Sequence, residues 1–192
     1  MTDETVLPRL ERKSAGISTV ALVGYMGAGK TTVGTALAER LGWRFADLDA
    51  VIEKREGRSV AQIFEQEGES RFRKLELEAL QEALAADSRL LVLALGGGAF
   101  ISKSVRQILR DRDVPAVWLD APSEELFRRC EQPEVIRPMR RDAQQFAELY
   151  EQRLSSYRQA DLHVITSNKE IRTVAEEIIT KFGLQPRSRS TE

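Results

Sequence analysis

The sequence predicts an α/β fold in which a central parallel sheet is flanked by helices on both faces. Short apolar runs alternate along the chain with segments of helical periodicity, and this alternation is typical of parallel sheets. The run at residues 90–95 contains no polar residue, which indicates a strand buried on both faces. A glycine-rich loop lies between a predicted strand at 17–23 and a predicted helix at 30–41, and ligands of such sheets bind at the carboxyl ends of the strands.

The composition limits the number of domains and the class of partner. A chain of 192 residues can bury one α/β core but is too short for two domains. Apolar residues make up 42% and charged residues 31%, and the net charge is -1, so no nucleic acid and no membrane is expected as a standing partner. Cys130 is the only cysteine, which fits a reducing compartment. We expect a cytoplasmic monomer that acts on a small molecule.

Turn residues and periodicity divide the rest of the chain. We expect a flexible arm at 1–16, one domain at 17–184 and a flexible tail at 185–192. Further strands are predicted at 43–48, 90–95, 116–119 and 162–166, and further helices at 50–56, 59–86 with a break at Gly68, 102–110, 123–130, 142–157 and 171–182. The charged stretch 131–141 places two prolines between two helices, which predicts a mobile lid.

The glycine-rich loop has the pattern G-x-x-x-x-G-K-[ST] at residues 24–31. Its glycines can adopt positive φ, so successive backbone N–H groups turn inward around an anion, and the next helix points its N-terminus at the same anion. In this pattern Lys30 reaches the β and γ phosphates of a nucleotide, and the Thr31 hydroxyl binds the Mg²⁺ that they carry. The residues expected around the phosphates are Gly27, Ala28, Gly29, Lys30, Thr31 and Thr32.

Two aspartates end the second predicted strand. Asp47 and Asp49 are two residues apart, so in an extended strand both side chains point to one side, while Leu48 faces the core. That side is the phosphate loop if the first two strands are neighbours. A carboxylate there either holds the water shell of the metal or receives a substrate hydroxyl. The alternative is that Asp49 only caps a helix that starts at Ala50.

Two arginines and a run of glycines predict a site for an acidic substrate. Arg71 and Arg73 lie in the first turn after Gly68, where a cation opposes the helix dipole unless an anion is close. A guanidinium group can grip a carboxylate with two parallel hydrogen bonds. The glycines at 96–98 remove three side chains at the end of a buried strand, where a ligand could approach the backbone. A solvated charged face and a plain loop are the alternatives.

The predicted lid contains arginines suited to charge neutralisation. Arg137, held extended by Pro138, could neutralise charge on a transferring phosphoryl group. Arg140 and Arg141 compete with Arg137 for this role.

The last third of the chain adds further polar candidates. Arg153 and Tyr157 are one helical turn apart, so they share a face and could complete an anion pocket. Asp120 ends an apolar strand and is either a second acidic magnesium site or part of the turn before Ser123, an expected helix N-cap. His163 alternates with apolar residues in a strand, which is typical of a packed or surface histidine, and we assign it no role.

Together, these motifs resemble those of the shikimate kinase family. That family shares the phosphate loop, a D-x-D pair, an F-R pair after G-E, a G-G-G run, an R-P pair in the lid and an R-x-x-x-Y pattern. The matching positions are 24–31, 47–49, 68–73, 96–98, 137–138 and 153–157, within a resemblance over roughly residues 17–182. It implies a three-layer P-loop kinase fold, similar to nucleoside monophosphate kinases, with a mobile lid. It also implies ATP-dependent phosphorylation of the 3-hydroxyl of shikimate, on the route to chorismate and the aromatic amino acids.

The resemblance also implies roles for individual residues. Shikimate would bind in the region of about 49–80 and beyond it, on Asp49, Arg73, Gly97 and Arg153, with the two arginines on its carboxylate. Thr31 would bind Mg²⁺ directly and Asp47 through water, while Arg129 would lie against the adenine. The catalytic residues would be Lys30, Asp49, which faces the reacting hydroxyl, and Arg137 as the lid arginine.

Two other functions compete with this interpretation: another small-metabolite kinase, which is of the same class, and a nucleotide-dependent switch or binding module, which is of a different class. A gluconate kinase or a nucleoside monophosphate kinase would share the phosphate loop, but paired arginines with G-G-G and D-x-D favour an acidic polyol. A guanine-specific nucleotide switch would require N-K-x-D to read the base. After Asn168 and Lys169 the chain has Ile171 in place of that aspartate.

Overall fold

The computed structural model describes residues 16–85, 90–131 and 143–187, through which strands and helices alternate as predicted. The strands are β1 Thr19–Val23, β2 Arg44–Asp47, β3 Leu91–Ala94, β4 Ala116–Asp120 and β5 Leu162–Ile165. The helices are α1 Lys30–Leu41, α2 Leu48–Glu56, α3 Val60–Ala85, α4 Lys103–Asp111, α5 Ser123–Cys130, α6 Ala143–Tyr157 and α7 Ile171–Phe182, and a 3₁₀ turn covers Ala99–Ile101.

The five strands form one parallel sheet in the order β2-β3-β1-β4-β5. Strand β3 is buried along its whole length and pairs with β1 on one side and with β2 on the other. The first two strands are therefore not neighbours, which was the stated condition for bringing the aspartates to the phosphate loop. The carboxyl ends of β1, β2 and β3 nevertheless lie at one edge of the sheet, because the three strands run parallel.

Helix α1 follows the glycine-rich loop and has the predicted bounds. Val33, Leu37 and Leu41 recur along one face and are buried, and α1 packs against α7 and β3. Gly42 ends the helix in the left-handed conformation with φ of 66°. The helix N-terminus is thus fixed at the edge of the sheet where the loop lies.

Helix α2 begins at Leu48, two residues earlier than the sequence indicates. The side chain of Asp47 accepts a hydrogen bond from the backbone N–H of Asp49, so Asp47 and not Asp49 is the N-cap. Leu48 is fully buried, as predicted. Asp49 therefore belongs to the first turn of a helix, and its orientation does not follow from strand alternation.

Two other local predictions have opposite outcomes. The break at Gly68 inside α3 is confirmed, with φ of 79° and ψ of 175°. The prediction that Ser123 caps α5 is wrong, because Ser123 is the first helical residue and Pro122 occupies the cap position. The Pro122 carbonyl accepts the first helical hydrogen bonds, from the N–H groups of Glu125 and Leu126.

Nearly all of the predicted arm, residues 188–192 of the predicted tail and most of the predicted lid lie outside the described residues. The chain remains attached beyond the predicted boundary at 184, because the backbone N–H of Arg187 donates a hydrogen bond of 2.7 Å to Leu41 O. Among the described residues, no helix combines the length and the apolar character needed to cross a bilayer.

Candidate active site

The phosphate loop connects β1 to α1 and encloses the ammonium group of Lys30. Lys30 Nζ donates hydrogen bonds to Gly24 O at 2.9 Å and to Tyr25 O at 3.1 Å. Gly27 has φ of 81°, and a Cβ on it would lie 2.5 Å from Leu126 O, so the loop could not pass this close to α5 with a side chain there. Of the predicted phosphate-binding residues, 27–29 end the loop and 30–32 form the first turn of α1.

Thr31, in the first turn of α1, and Asp47, at the end of β2, meet although β1 and β2 are not adjacent. Thr31 Oγ1 donates a hydrogen bond of 2.8 Å to Asp47 Oδ2, while Asp47 Oδ1 accepts the capping hydrogen bond from Asp49 N at 3.1 Å. A hydroxyl and a carboxylate at the N-terminus of α1 are the oxygen ligands that a hard cation such as Mg²⁺ prefers. No cluster of three or more acidic, histidine or cysteine ligands occurs in the part of the chain that the structure describes.

Two of the three glycines after β3 leave space that charged side chains fill. A Cβ on Gly96 would lie 2.7 Å from Asp49 Oδ1 and 2.9 Å from Glu76 Oε1. A Cβ on Gly98 would collide with the guanidinium group of Arg73. The G-G-G run therefore has a steric cause, because the ionisable groups of α2 and α3 come into contact with the loop backbone.

Gly97 differs from its neighbours because it acts through its carbonyl group. Arg153 Nη1 donates to Gly97 O at 3.1 Å, and the Tyr157 hydroxyl donates to the same oxygen. A Cβ on Gly97 would lie 3.7 Å from Gly24 O, an ordinary contact distance, so this glycine also lies beside the phosphate loop. Arg73 and Arg153 thus flank consecutive residues of one loop, next to the segment that encloses Lys30.

The two arginines predicted to bind an acid, Arg73 and Arg153, are themselves held by ionic and aromatic contacts. Arg73 donates hydrogen bonds to Glu69 at 3.0 Å and to Glu76 at 2.9 Å. The Arg153 guanidinium lies over the ring of Tyr25, with Cζ 5.3 Å from the ring centroid. These contacts restrict the rotamers of both long side chains before any ligand is present, which lowers the entropy cost of binding an acid.

Glu76 is a functional candidate that the sequence analysis did not identify. Its residue is 1% exposed, and its carboxyl lies between Gly96, Asp49 and Arg73. Burial, with a smaller contribution from the nearby Asp49, raises the pKa of Glu76 to about 7 against the opposing effect of Arg73. The signal in the sequence was a glutamate within the apolar stripe formed by Phe72, Leu75, Ala79 and Leu80.

Arg71 lies away from the site, although the sequence predicted that Arg71 and Arg73 together face an anion. It donates to Glu67 at 3.2 Å across one helical turn, and its side chain is 41% exposed. Arg71 and Arg73 are two residues apart on a helix and therefore point in different directions. For Arg71 the solvated charged face is the correct interpretation.

Arg129 links the phosphate loop to the end of β5. Its guanidinium group donates to Thr166 Oγ1 at 3.0 Å and forms an ion pair with Glu125 at 2.5 Å. A weaker hydrogen bond of 3.4 Å reaches Gly27 O. Thr31, Thr32 and residues 169–172 line part of an open cavity of about 770 Å³, and Arg129 is not among its lining residues. Arg137, Arg140 and Arg141 lie outside the described residues, so their predicted role stays a prediction.

Known proteins place the chain in a family. The shikimate kinase family model matches residues 26–182. The shikimate kinase of Persephonella marina is 39% identical over 164 residues, covering 85% of this chain and 98% of the relative, and that of Geobacter sulfurreducens is 42% identical over 164 residues, covering 84% and 88%. The solved shikimate kinase of Acinetobacter baumannii in complex with shikimate superimposes with a TM-score of 0.75 at 35% identity, covering 89% of this chain and 95% of that one. The chain is a P-loop kinase and belongs to the shikimate kinase family.

Proposed function

We propose that this chain transfers the γ-phosphoryl group of ATP to the 3-hydroxyl of shikimate, giving shikimate 3-phosphate and ADP. The observation that carries the proposal is the glycine run at 96–98, where Arg73 and Arg153 converge beside the phosphate loop. Two guanidinium groups on one loop suit a monocarboxylic acid. The proximity of Gly97 and Arg153 to the phosphate loop suits an acceptor that lies next to a bound triphosphate.

The nucleotide half of the reaction would depend on residues 27–32 and Lys30. Backbone N–H groups of the loop would bind the phosphates, and the ammonium group of Lys30 would stabilise charge on the β and γ phosphates. Arg129 would lie against the adenine, supported by its contacts to Thr166 and Glu125. Arg137 would add a further positive charge near the transferred group.

Thr31 and Asp47 fit a magnesium site by the chemistry of their oxygen atoms. Thr31 would bind the ion directly and Asp47 through water, which is typical of Mg²⁺ because it dehydrates reluctantly. When bound, Mg²⁺ would neutralise charge on the phosphate oxygens. The Asp47 carboxylate also caps α2, so the same residue would hold Asp49 in place.

The acceptor half would use Asp49, Arg73, Gly97 and Arg153. The arginines would bind the carboxylate and thereby fix the ring, and Asp49 would orient the 3-hydroxyl toward the phosphoryl group. Catalysis would consist mostly of positioning and charge neutralisation, because phosphoryl transfer needs little covalent help from the protein.

A coupled assay of ADP release tests the function directly. Shikimate, quinate, gluconate and AMP are offered separately with Mg²⁺ and ATP to the full chain. We expect turnover with shikimate at a kcat/KM at least about 100-fold above that with each of the others, because only shikimate matches both the acid pocket and the hydroxyl position. Turnover with gluconate or AMP and none with shikimate would reject the proposal. A monomer in the cytoplasm and the domain bounds remain predictions from the sequence.

A further inference from the structure

Helix α6 (Ala143–Tyr157) carries Arg153 and Tyr157, but its backbone does not pack closely on the sheet. Its principal neighbours among the described elements are α5 and the 3₁₀ turn at Ala99–Ile101. The position of Arg153 therefore depends on long side chains that reach from α6 to the strands. These side chains are aromatic, and one of them, Tyr150, donates a hydrogen bond to a buried aspartate.

Asp120 ends β4, is 7% exposed and has both carboxylate oxygens engaged by protein groups. Oδ1 accepts hydrogen bonds from the Tyr150 hydroxyl at 2.7 Å and from Ala121 N at 2.9 Å. Oδ2 lies 2.9 Å from His163 Nε2. Of the two alternatives left open by the sequence, these contacts favour a structural turn over a second acidic magnesium site.

Tyr150 connects this carboxylate to the acid pocket through the phosphate loop. Its ring packs edge-on against Tyr25, with centroids 5.6 Å apart. Tyr25 in turn lies beneath the Arg153 guanidinium, and its hydroxyl donates to Phe146 O at 3.2 Å. A shift of Tyr150 would therefore displace the Tyr25 ring, and with it the Arg153 guanidinium group that lies over that ring.

A second set of contacts joins the same aspartate to Gly97. His163 stacks on Trp118 with ring centroids 3.9 Å apart, and Trp118 packs on Tyr157 at 5.9 Å. Burial raises the pKa of Tyr157 well above its usual range, and burial together with Asp120 does the same for Tyr150. Both phenols therefore stay protonated and donate their hydrogen bonds at every pH at which the enzyme would work.

The polar contacts of Asp120 with Tyr150 and His163 are not explained by stability alone. A buried ionic group contributes little net stability relative to apolar residues of the same volume, because its desolvation cost offsets its attractions. A hydrogen bond does differ from an apolar contact in being directional, so it selects one position of its partner. The Asp120–Tyr150 hydrogen bond is suited to fix where α6 lies along the sheet edge.

We propose that Asp120 is a positioning residue of the acid pocket: supported by His163, its carboxylate fixes Tyr150 and so holds α6 with Arg153 at Gly97. The inference rests on the proposed function, since the acid that Arg153 would bind is the acceptor. It assigns Asp120, Tyr150 and His163 to substrate affinity, although the geometry gives none of them a contact with the reacting groups.

The test compares Tyr150→Phe, Asp120→Asn and the double variant with the unaltered chain. Tyr150→Phe keeps the ring and removes only the hydroxyl. We expect the Kd for shikimate, measured by calorimetry without nucleotide, and the KM for shikimate to rise about three- to ten-fold, the ratio that corresponds to one net hydrogen bond. The KM for ATP and kcat should stay within about two-fold. The double variant should show no more than the larger single effect, because the two groups act as a pair.

Val114→Ala is the matched control, because Val114 is 5% exposed and lies before β4, away from the cluster. It should lower Tm while both KM values stay unchanged. The proposal would be overturned if Tyr150→Phe, like the control, lowered Tm and left both KM values unchanged. An equal rise in the KM for shikimate and in the KM for ATP would overturn it too. If that variant does not fold, His163→Ala, whose side chain is 46% exposed, is measured in the same way.

Turnover by the unaltered chain separates this inference from the proposed function. If the unaltered chain phosphorylates another acid in place of shikimate, the proposed function fails. The ratios between the variants and the unaltered chain are then measured with that acid, and they still decide the role of Asp120.

Discussion

The phosphate loop lies against the proposed acid pocket, formed by Asp49, Arg73, Gly97 and Arg153, but the two regions are built in opposite ways. The loop is a contiguous segment of nine residues, 24–32, whose backbone forms the site and whose Lys30 bonds back to its own carbonyl groups. The pocket is assembled from side chains on α2, α3 and α6, around the loop that follows β3. Arg73 and Arg153 are 80 positions apart in the chain and meet only in the fold.

This difference makes the two regions sensitive to different changes. A site made of backbone N–H groups tolerates many side chains as long as its turn conformation is kept. A site made of converging long side chains depends on the empty space around them, because each guanidinium must reach its place without a collision. Among side chains, the phosphate loop should therefore depend most on the Lys30 ammonium group. The acid pocket should depend both on its charged groups and on the side-chain atoms that its glycines lack.

Lys30→Ala should give the largest effect and should affect the nucleotide half. Without the ammonium group, charge on the phosphates loses a preorganised partner, and we expect kcat to fall by about 100- to 1,000-fold. Steady-state ADP release with saturating shikimate measures the change. Lys54→Ala removes an exposed lysine of α2 and should leave kcat unaltered. Retained turnover in Lys30→Ala would remove Lys30 from the mechanism.

Arg73→Ala should affect the acceptor half alone. Loss of a charge-assisted contact to the substrate carboxylate should raise the KM for shikimate about 10- to 100-fold, while the KM for ATP stays within about two-fold. Arg71→Ala is the control from the same helix, since Arg71 pairs with Glu67 at the surface. If Arg73→Ala raises the KM for shikimate and the KM for ATP equally, the division of the site into a nucleotide half and an acceptor half is wrong.

Gly98→Ala tests whether empty space is part of the pocket. Gly98 has φ of -105°, which alanine adopts without strain, so only the collision with Arg73 opposes the added methyl group. We expect the KM for shikimate to rise about ten-fold because Arg73 is displaced. Gly57→Ala is the converse control, because Gly57 has φ of 66° and no neighbour within 4 Å. That variant should lose about 1 kcal/mol of stability and keep its kinetics, and the same result for Gly98→Ala would contradict the steric account.

The same contrast explains what could be predicted from the sequence. The phosphate loop, the strand at 90–95 and the bounds of α1 and α7 follow from local pattern, because turn chemistry and periodicity act over a few residues. The family resemblance selected Arg73, Gly97 and Arg153, and the structure brings these residues together. Local reasoning alone could not separate Arg71 from Arg73, since both are cations in one turn and only the packing of α3 decides which one faces the loop.

Two misses have the same physical origin. The strand alternation assumed for Asp47 and Asp49 fails because α2 begins at Leu48, and the Asp47 side chain that caps it is also held by a hydrogen bond from Thr31 on another element. Glu76 was hidden in an apolar stripe, where a carboxylate is stable only if distant groups satisfy it. Periodicity marked this face of α3 as buried. It could not show that Asp49 lies close to Glu76 or that Arg73 pairs with it.

Glu76→Gln should give the smallest effect, and one that is confined to the acid pocket. Burial raises the pKa of Glu76 from 4.5 to about 7, so between pH 4.5 and 7 the native state keeps a proton that the unfolded chain has lost. The free energy of unfolding of the unaltered chain should therefore fall across this window as the pH rises, by about 1 to 3 kcal/mol from this group. Glutamine has no proton to lose, so the variant should gain stability relative to the unaltered chain over the same window.

Urea unfolding at pH 5, 6, 7 and 8 gives the free energy of unfolding of the unaltered chain and of Glu76→Gln, and so shows how the difference between them changes with pH. Glu69→Gln is the matched control, because Glu69 also accepts a hydrogen bond from Arg73 but its side chain is 67% exposed. A difference that grows with pH for Glu76→Gln alone would show that the pocket holds a protonated carboxyl beside two arginines. Parallel curves for all three proteins would mean that Glu76 is ionised in the native state, and that the pocket is balanced by charge rather than by a proton.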